Sequence, residues 1–381
     1  MTPERTGPSL ILGIETSCDE TAAAVVATTG DAARPWAVRS NIVASQANLH
    51  REWGGVVPEI ASRQHVRDIS AVVRRALGDA GVTLAEIDAV AVTQGPGLVG
   101  SLLVGISFAK SLAAGTGKPV VAVNHLAGHI ESIFLEHGAI PLPAVVLVVS
   151  GGHTSLYRVP EPGVYELVGR TRDDAAGEAY DKVAKLLGLG YPGGPVVDKQ
   201  ARQGNDQAVV LPRPRFTHAD RNAVSADLAA SRSANAPLLA EFSFSGLKTA
   251  VVRELQRRGV NPAPGLGPPA GSGPLSATEV ADFCASFQRI VVETLVDRTF
   301  EAARAMGARS VGISGGVSAN SRLRADAIAR GEREGLPVFI PALSLSTDNA
   351  AMIAAAGLRK LAARGPSPLD FNAEASLPIT A

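Results

Sequence analysis

Short apolar runs alternate with amphipathic stretches along most of this chain, a pattern typical of an α/β protein. Residues 10–15 and 22–27 are apolar runs on either side of a small, hydroxyl-rich turn, which predicts a β-hairpin. Residues 144–149 and 156–159 repeat this design around a second turn. Because two hairpins of one design occur in the chain, we predict a two-lobed protein whose duplicated lobes face a central cleft.

The remaining apolar periodicity predicts the other elements of the two lobes. Helices are predicted over residues 62–77, 98–114 and 349–362, and strands over residues 88–93, 119–123, 310–313 and 338–340. The first lobe is predicted to comprise residues 9–140 plus 343–365, and the second residues 141–342. Residues 1–8 and 366–381 are predicted to be flexible tails, and segments 215–240 and 260–274 to be loops.

The composition restricts the class of protein. The chain has 381 residues with 36 Lys+Arg and 36 Asp+Glu, so a nucleic-acid partner would need a local basic patch. The apolar runs are far shorter than the roughly 20 residues that span a bilayer, and no apolar signal segment is visible at the N-terminus. Cys18 and Cys284 provide no disulfide framework. We therefore predict a cytoplasmic protein that does not associate with membranes.

A histidine pair is the strongest chemical signal in the sequence. The apolar run 119–123 ends at Asn124, a favoured helix N-cap, and His125 and His129 follow four residues apart. On a helix, this spacing places both imidazoles on one face, where they could bind one metal ion. Packing or capping histidines would have the same spacing, so that alternative stays open. No Glu follows His125, as a peptidase of the H-E-x-x-H class would require.

Two glycine turns are candidate sites for an anion. Ser150, Gly151 and Gly152 follow the strand predicted over residues 144–149, and residues 314–320 join a strand to a helix. The backbone N–H groups of such turns and of helix N-termini bind phosphate. The sequence therefore predicts an anion- or nucleotide-binding site in the second lobe.

Eight short motifs stand in one order along the chain. They are residues 13–21 (GIETSCDET), 54–59 (GGVVPE), 94–98 (QGPGL), 124–129 (NHLAGH), 150–154 (SGGHT), 173–178 (DDAAGE), 242–248 (FSFSGLK) and 314–320 (SGGVSAN). Together they resemble the tRNA N6-adenosine threonylcarbamoyltransferase family, long described as O-sialoglycoprotein endopeptidases. The resemblance covers roughly residues 10–363.

This resemblance implies an α/β fold with two lobes, of the actin, hexokinase and Hsp70 (ASKHA) type. It also implies transfer of a threonylcarbamoyl group from threonylcarbamoyl-AMP to N6 of adenosine 37, with release of AMP. The target tRNAs would read codons beginning with A. Bacterial relatives act with an inactive paralogue subunit and a small P-loop ATPase, and we expect these partners beside tRNA.

The resemblance also implies roles for individual residues. The metal ligands would be His125, His129 and Asp348, holding one divalent metal per chain, with Fe(II) favoured and Zn(II) as the alternative. The substrate contacts would be Val148, Val149, Ser150, Gly151, Gly152, Asp181, Gly194, Asp198 and Asn320. The base that removes the proton from N6 is not marked by the motifs, and Asp19 and Glu20 in the first hairpin turn are the candidates.

Other functions stay open at the level of the sequence. A metallopeptidase would use the histidine pair, although the missing Glu counts against it. A small-molecule kinase of the same fold would leave the pair without a role, and a non-catalytic paralogue would be expected to lack the three ligands. Cys18 is either a nucleophile or a small buried filler, and residues 173–174 are either a carboxylate site or a helix cap.

Overall fold

The computed structural model describes residues 9–213, 240–260 and 275–379. The predicted loops 215–240 and 260–274 lie outside these residues, apart from Ala240 and Val260. The chain divides into two compact units. The first comprises Met1–Leu49, Val56–Ile140 and Pro341–Ala381, and the second comprises His50–Gly55 and Pro141–Ile340.

The strands and helices of the described residues are numbered here in chain order. The first group is β1 (Leu10–Glu15), β2 (Glu20–Thr28), β3 (Trp36–Ser45), α1 (Ala47–His50), α2 (Pro58–Ala80), β4 (Ala89–Gly95), α3 (Val99–Thr116), β5 (Val120–Asn124) and α4 (His125–His137). The next group is β6 (Ala144–Val149), β7 (Thr154–Val159), β8 (Glu166–Arg170), α5 (Ala176–Leu186), α6 (Gly193–Ala201), α7 (Ser245–Arg257) and α8 (Ala277–Ala305). The last group is β9 (Ser310–Ser314), α9 (Ser321–Glu334), β10 (Val338–Phe339), α10 (Leu343–Ser346) and α11 (Ala350–Arg364).

Each unit contains a five-stranded sheet, and both sheets have the same topology. The strand order is β3-β2-β1-β4-β5 in the first unit and β8-β7-β6-β9-β10 in the second. In each sheet, three strands form an antiparallel meander and two further strands lie parallel to its first strand. The duplicated α/β lobes predicted from the two hairpins are thus confirmed.

Strand β1 accounts for the continuous apolar run near the N-terminus. Leu12 and Ile14 pack in a core with residues of α2 and α3, whereas Ile11 packs on the opposite face with residues of α11. Because helices cover both faces of this sheet, β1 is apolar at successive positions up to Ile14 instead of at alternate positions.

Helix α3 is apolar because of its packing. Within the described residues, it is the one helix whose length and composition would allow it to cross a membrane. Leu102, Ile106 and Ala109 lie along one face and are buried in the core of the first unit. Its apolarity is therefore that of a helix packed against a sheet.

The C-terminal segment differs from the predicted flexible tail. The Ser367 amide donates to the Val120 carbonyl at 2.8 Å, and the Ser367 hydroxyl accepts from the Ala122 amide at 2.9 Å. Further along, the Asn124 side-chain amide donates to the Leu377 carbonyl at 3.0 Å. Ser367 and Leu377 therefore contact the edge strand β5. These contacts leave no periodic side-chain pattern, so the sequence did not predict them.

Asp173, the first residue of the acidic pair 173–174, has a structural role. Its carboxylate accepts from the Phe244 and Ser245 amides at 2.8 and 3.3 Å and from the Ser243 and Ser245 hydroxyls. Burial alone would raise the pKa of Asp173, but these hydrogen bonds outweigh burial and lower it. The predicted cap ahead of residues 175–176 is therefore wrong for this residue, because Asp173 accepts from amides at the start of α7 and not of α5.

Candidate metal centre

Helix α4 begins as the sequence predicts. The Asn124 side-chain oxygen accepts from the backbone amides of Leu126 and Ala127 at 2.9 and 3.3 Å, so it satisfies donors at the helix N-terminus. His125 and His129 then lie one turn apart, with their ring centroids 4.7 Å from each other. Both side chains are buried.

Asp348 is brought to the same point from the other end of the chain. It stands just before α11, whose N-cap is Asn349. The Asp348 Oδ1 atom lies 3.2 Å from His129 Nε2 and 3.6 Å from His125 Nε2. One donor atom from each of the three residues lies within 4.8 Å of the other two. The three residues named by the resemblance are therefore one cluster.

The donor set fits a divalent metal. His129 is fully buried, yet neither of its ring nitrogens has a hydrogen-bond partner, and its contact with Asp348 does not have the geometry of a hydrogen bond. An unpartnered buried nitrogen is costly, and a cation at this point would satisfy the Nε2 lone pair. Two imidazoles and one carboxylate suit Zn(II) or non-haem Fe(II) and leave coordination positions open.

The two histidines have opposite electrostatic environments. Burial disfavours the charged form of His125, but Asp348 and Glu15 outweigh burial and raise its pKa to about 9. Burial lowers the pKa of His129, and the neighbouring His125 adds to this effect. In the metal-free protein at neutral pH, His125 therefore carries the proton and His129 is neutral.

We therefore expect the affinity of the site for a metal to increase with pH. A metal must displace one proton from His125, so we expect affinity to rise about tenfold per pH unit up to pH about 9. Zn²⁺ titrations at pH 7 and 8 in buffers of different ionisation enthalpy should give this ratio and one proton released per ion. Equal affinities at both pH values would contradict the raised pKa of His125.

The raised pKa of His125 also stabilises the metal-free fold. This contribution is fully present below pH 6.5 and is lost as the pH rises through about 9.

The turn between β1 and β2 carries the two candidate bases. Asp19 lies in the turn and is buried, and Glu20 begins β2. Burial and the Asp19 carboxylate raise the pKa of Glu20 well above its usual range. Burial also raises the pKa of the Cys18 thiol, as do nearby carboxylates including Asp19, so Cys18 is not an activated nucleophile.

Two residues that support this region were not singled out from the sequence. His65 on α2 is fully buried; its Nε2 lies 2.9 Å from the Cys18 carbonyl and its Nδ1 2.8 Å from the Thr21 hydroxyl, so it fixes the turn. Glu15 contacts His125 directly. A charged residue at the end of a strand that is otherwise apolar was the available signal for Glu15.

The second unit groups the predicted substrate residues in three places. Val148 and Val149 are buried at the end of β6, and the exposed Gly151 and Gly152 follow Ser150 in the turn. The N-terminus of α5 packs on this turn, because a Cβ on Gly177 would lie 2.6 Å from the Ser150 carbonyl oxygen. A glycine turn and a helix N-terminus thus meet at one point.

A second group of predicted substrate residues surrounds the start of α9. Gln288 donates to Asp198 Oδ1 at 3.1 Å and accepts from the Asn320 amide at 2.8 Å. Asn320 also caps α9, accepting from the Leu323 amide at 3.0 Å. A cavity of about 440 Å³ lies beside this network and is lined in part by Gln288 and Arg322. The sequence did not single out Gln288, although a buried polar residue on an otherwise apolar helix face was a usable signal.

Asp181 on α5 and Gly194 on α6 lie near the start of α6. The Asp181 carboxylate accepts from the Gly193 amide at 2.7 Å, which ties α5 to α6. No atom lies within 4 Å of the position that a Cβ on Gly194 would occupy, so this face of the helix is open.

Comparison with known proteins identifies the family. The sequence profile of TsaD, tRNA N6-adenosine threonylcarbamoyltransferase, matches residues 37–355. The enzyme of that name from Symbiobacterium thermophilum is 52% identical over 364 residues, covering 96% of this chain and 95% of the relative. The one from Moorella thermoacetica is 48% identical over 369 residues, covering 97% of each. Full-length HypF in its phosphate- and nucleotide-bound form is similar in fold, with a TM-score of 0.55, 13% identity, and coverage of 96% of this chain and 48% of that chain. The chain belongs to the tRNA N6-adenosine threonylcarbamoyltransferase family.

Proposed function

We propose that this chain transfers the threonylcarbamoyl group of threonylcarbamoyl-AMP to N6 of adenosine 37 in tRNAs that read codons beginning with A. The convergence of His125, His129 and Asp348 is the observation that carries the proposal, since it gives the histidine pair a chemical role. In the reaction, N6 attacks the carbamoyl carbon, the bond from that carbon to the phosphate oxygen breaks, and AMP leaves. The N6 proton passes to a base.

The three clustered residues would hold one divalent metal, and we propose Fe(II), with Zn(II) as the alternative. Such a metal supplies Lewis-acid polarisation and a template for the substrate. The protein contributes the orientation of its ligands and the burial of both histidines, which keeps bulk water from their ring nitrogens.

The second unit would hold the adenylate. We assign the turn Ser150, Gly151 and Gly152, with Val148 and Val149 behind it, to an anionic group, because glycine amides and the α5 N-terminus meet there. The Ser314 and Ser318 hydroxyls of the second glycine turn are buried without a hydrogen-bond partner, which also favours a ligand beside that turn. Asp181, Gly194, Asp198 and Asn320 would hold the nucleoside.

Asp19 and Glu20 are the two proposed bases. Burial and the Asp19 carboxylate raise the pKa of Glu20, which makes it more basic than an ordinary glutamate. The N6 amine is a weak nucleophile, and orientation by the bound tRNA should therefore contribute much of the rate.

The proposed partners are tRNA, an inactive paralogue subunit and a small P-loop ATPase, and the proposed location is the cytoplasm. Neither alternative activity is favoured, because the relatives reported above are transferases that match almost the whole chain. The missing Glu after His125 further disfavours a peptidase.

Nucleoside mass spectrometry of tRNA tests the proposal. Cells depleted of this protein should lose threonylcarbamoyladenosine, and wild-type protein should restore it whereas His129→Ala should not. Unchanged nucleoside after depletion, in cells without a second such enzyme, would overturn the transferase assignment. Restoration by both versions would retain the transferase and overturn the metal site.

A further inference from the structure

We propose that Glu15 is a positioning residue that orients the metal ligand His125. Glu15 is the last residue of β1, and its side chain is completely buried. Its carboxylate lies 2.9 Å from His125 Nδ1. The proposal rests on the metal site of the proposed function and goes beyond it, because Glu15 is neither a proposed ligand nor a proposed substrate contact.

The chemistry of the contacts requires a carboxylate at this position. One oxygen of Glu15 accepts from the Ser17 amide at 2.5 Å. The other accepts from the Thr93 hydroxyl at 2.7 Å and faces His125 Nδ1. A glutamine has one acceptor oxygen, so its NH₂ group would meet at least one of these donors. The site therefore selects Glu over its isosteric amide.

The consequence is a fixed ring orientation and a fixed tautomer. Because Nδ1 of His125 donates to Glu15, Nε2 is the nitrogen that faces Asp348 and His129 and would bind a metal once it has lost its proton. Carboxylate partners of this kind raise the basicity of a metal-bound imidazole. His129 differs, because its Nδ1 has no hydrogen-bond partner, so the ring is held by its packing and by the contact of Nε2 with Asp348. The two histidines are thus held in place by different forces.

Thr93 and Ser17 extend the same arrangement. Thr93 lies on β4, the strand that pairs with β1, and is fully buried. The Ser17 hydroxyl lies 3.3 Å from His125 Nδ1, beside the Glu15 carboxylate. Glu15 is therefore itself fixed from two neighbouring segments, as a residue that must orient another side chain requires.

Titration of the purified, metal-free chain with Co²⁺ in competition with a chelator tests the proposal. Glu15→Gln should weaken Co²⁺ binding by about 10–100-fold and change the visible spectrum of the bound ion, since His125 is no longer held. Thr93→Val should weaken binding by a smaller factor, and Thr93→Ser, which keeps the hydroxyl, should restore it. Thermal unfolding of each metal-free variant reports whether the fold survives.

Glu131→Gln is the matched control. Glu131 is also a fully buried carboxylate on the metal-ligand helix α4, but it accepts from the Arg359 guanidinium at 2.7 Å. This variant should be less stable and should bind Co²⁺ as the wild type does. Wild-type affinity and spectrum in Glu15→Gln would overturn the positioning role. If Glu15→Gln does not fold, equal affinities of Thr93→Val and Thr93→Ser would overturn it. Failure of the wild type to bind Co²⁺ would instead overturn the metal site itself.

Discussion

Replacing His129 or Asp348 by alanine is expected to reduce metal affinity by more than about 100-fold, beyond the effect of losing an outer hydrogen-bond partner. Each substitution removes one of the three donor atoms that converge within 4.8 Å. Transfer activity in the reconstituted reaction should fall by at least the same factor. For Asp348→Ala, the metal-free fold should survive, because Asp348 is part-exposed and Asn349 still caps α11.

His137→Ala is the matched control for these variants. His137 is the last residue of the same helix, three turns from the start, and is only half-buried. Its loss should leave metal content and activity within a factor of about two, as for most surface changes. Metal content measured by mass spectrometry after purification without chelator distinguishes the variants. Full metal content in His129→Ala or Asp348→Ala would remove that residue from the ligand set.

Substituting Gly13 by alanine is expected to lower the free energy of unfolding of the first unit by about 3 kcal/mol. A Cβ on Gly13 would lie 2.3 Å from the Ala350 carbonyl oxygen and 2.8 Å from the Ala354 amide nitrogen. Both are backbone atoms of α11, so no side-chain rotation relieves the overlap. The start of α11 would have to move away from β1, and Asp348 precedes that start by two residues.

The variant should therefore lose both stability and metal affinity. The melting temperature of metal-free Gly13→Ala should fall by roughly 6–12 °C, and Co²⁺ titration should give weaker binding. Gly78→Ala is the control, because Gly78 is on the exposed part of α2 and no atom lies within 4 Å of its added Cβ. That change should be neutral or stabilising by up to about 1 kcal/mol. Equal melting temperatures for Gly13→Ala and wild type would contradict this account of the packing.

Local chemistry made much of this molecule predictable. The cap at Asn124 and the four-residue spacing define α4 and place His125 and His129 together, because a helix turn is fixed geometry. The repeated hairpins predicted the two α/β lobes, and the ASKHA fold class is confirmed by the shared sheet topology and by the family. Helix α2 begins earlier than predicted, since Pro58 takes the first helical position, where its missing N–H costs nothing.

Contacts between segments that are distant in the sequence could not be predicted from local patterns. Periodicity cannot reveal that Asp348 meets the histidines, and only the resemblance named it. Glu15 and Gln288 are single polar residues in apolar elements, and their partners are set by tertiary packing. The bonds that Ser367 and Leu377 make with β5 join single backbone and side-chain atoms, which leave no periodic pattern in the sequence.

The first unit is built from separate stretches of the chain, so the ribosome synthesises its parts at different times. Its proposed metal cluster draws on Glu15 and Thr93 from the start of the chain, the histidines of α4, and Asp348. In the sequence, the second unit stands between the histidines of α4 and Asp348, and almost all of it is the single stretch Pro141–Ile340. A growing chain therefore finishes the second unit before the metal cluster can exist, and the first 140 residues must wait for α11 to cover one face of their sheet. Such late, long-range closure is the slow step expected for non-local topologies, so a ribosome that stalls before residue 348 leaves a chain with no metal site.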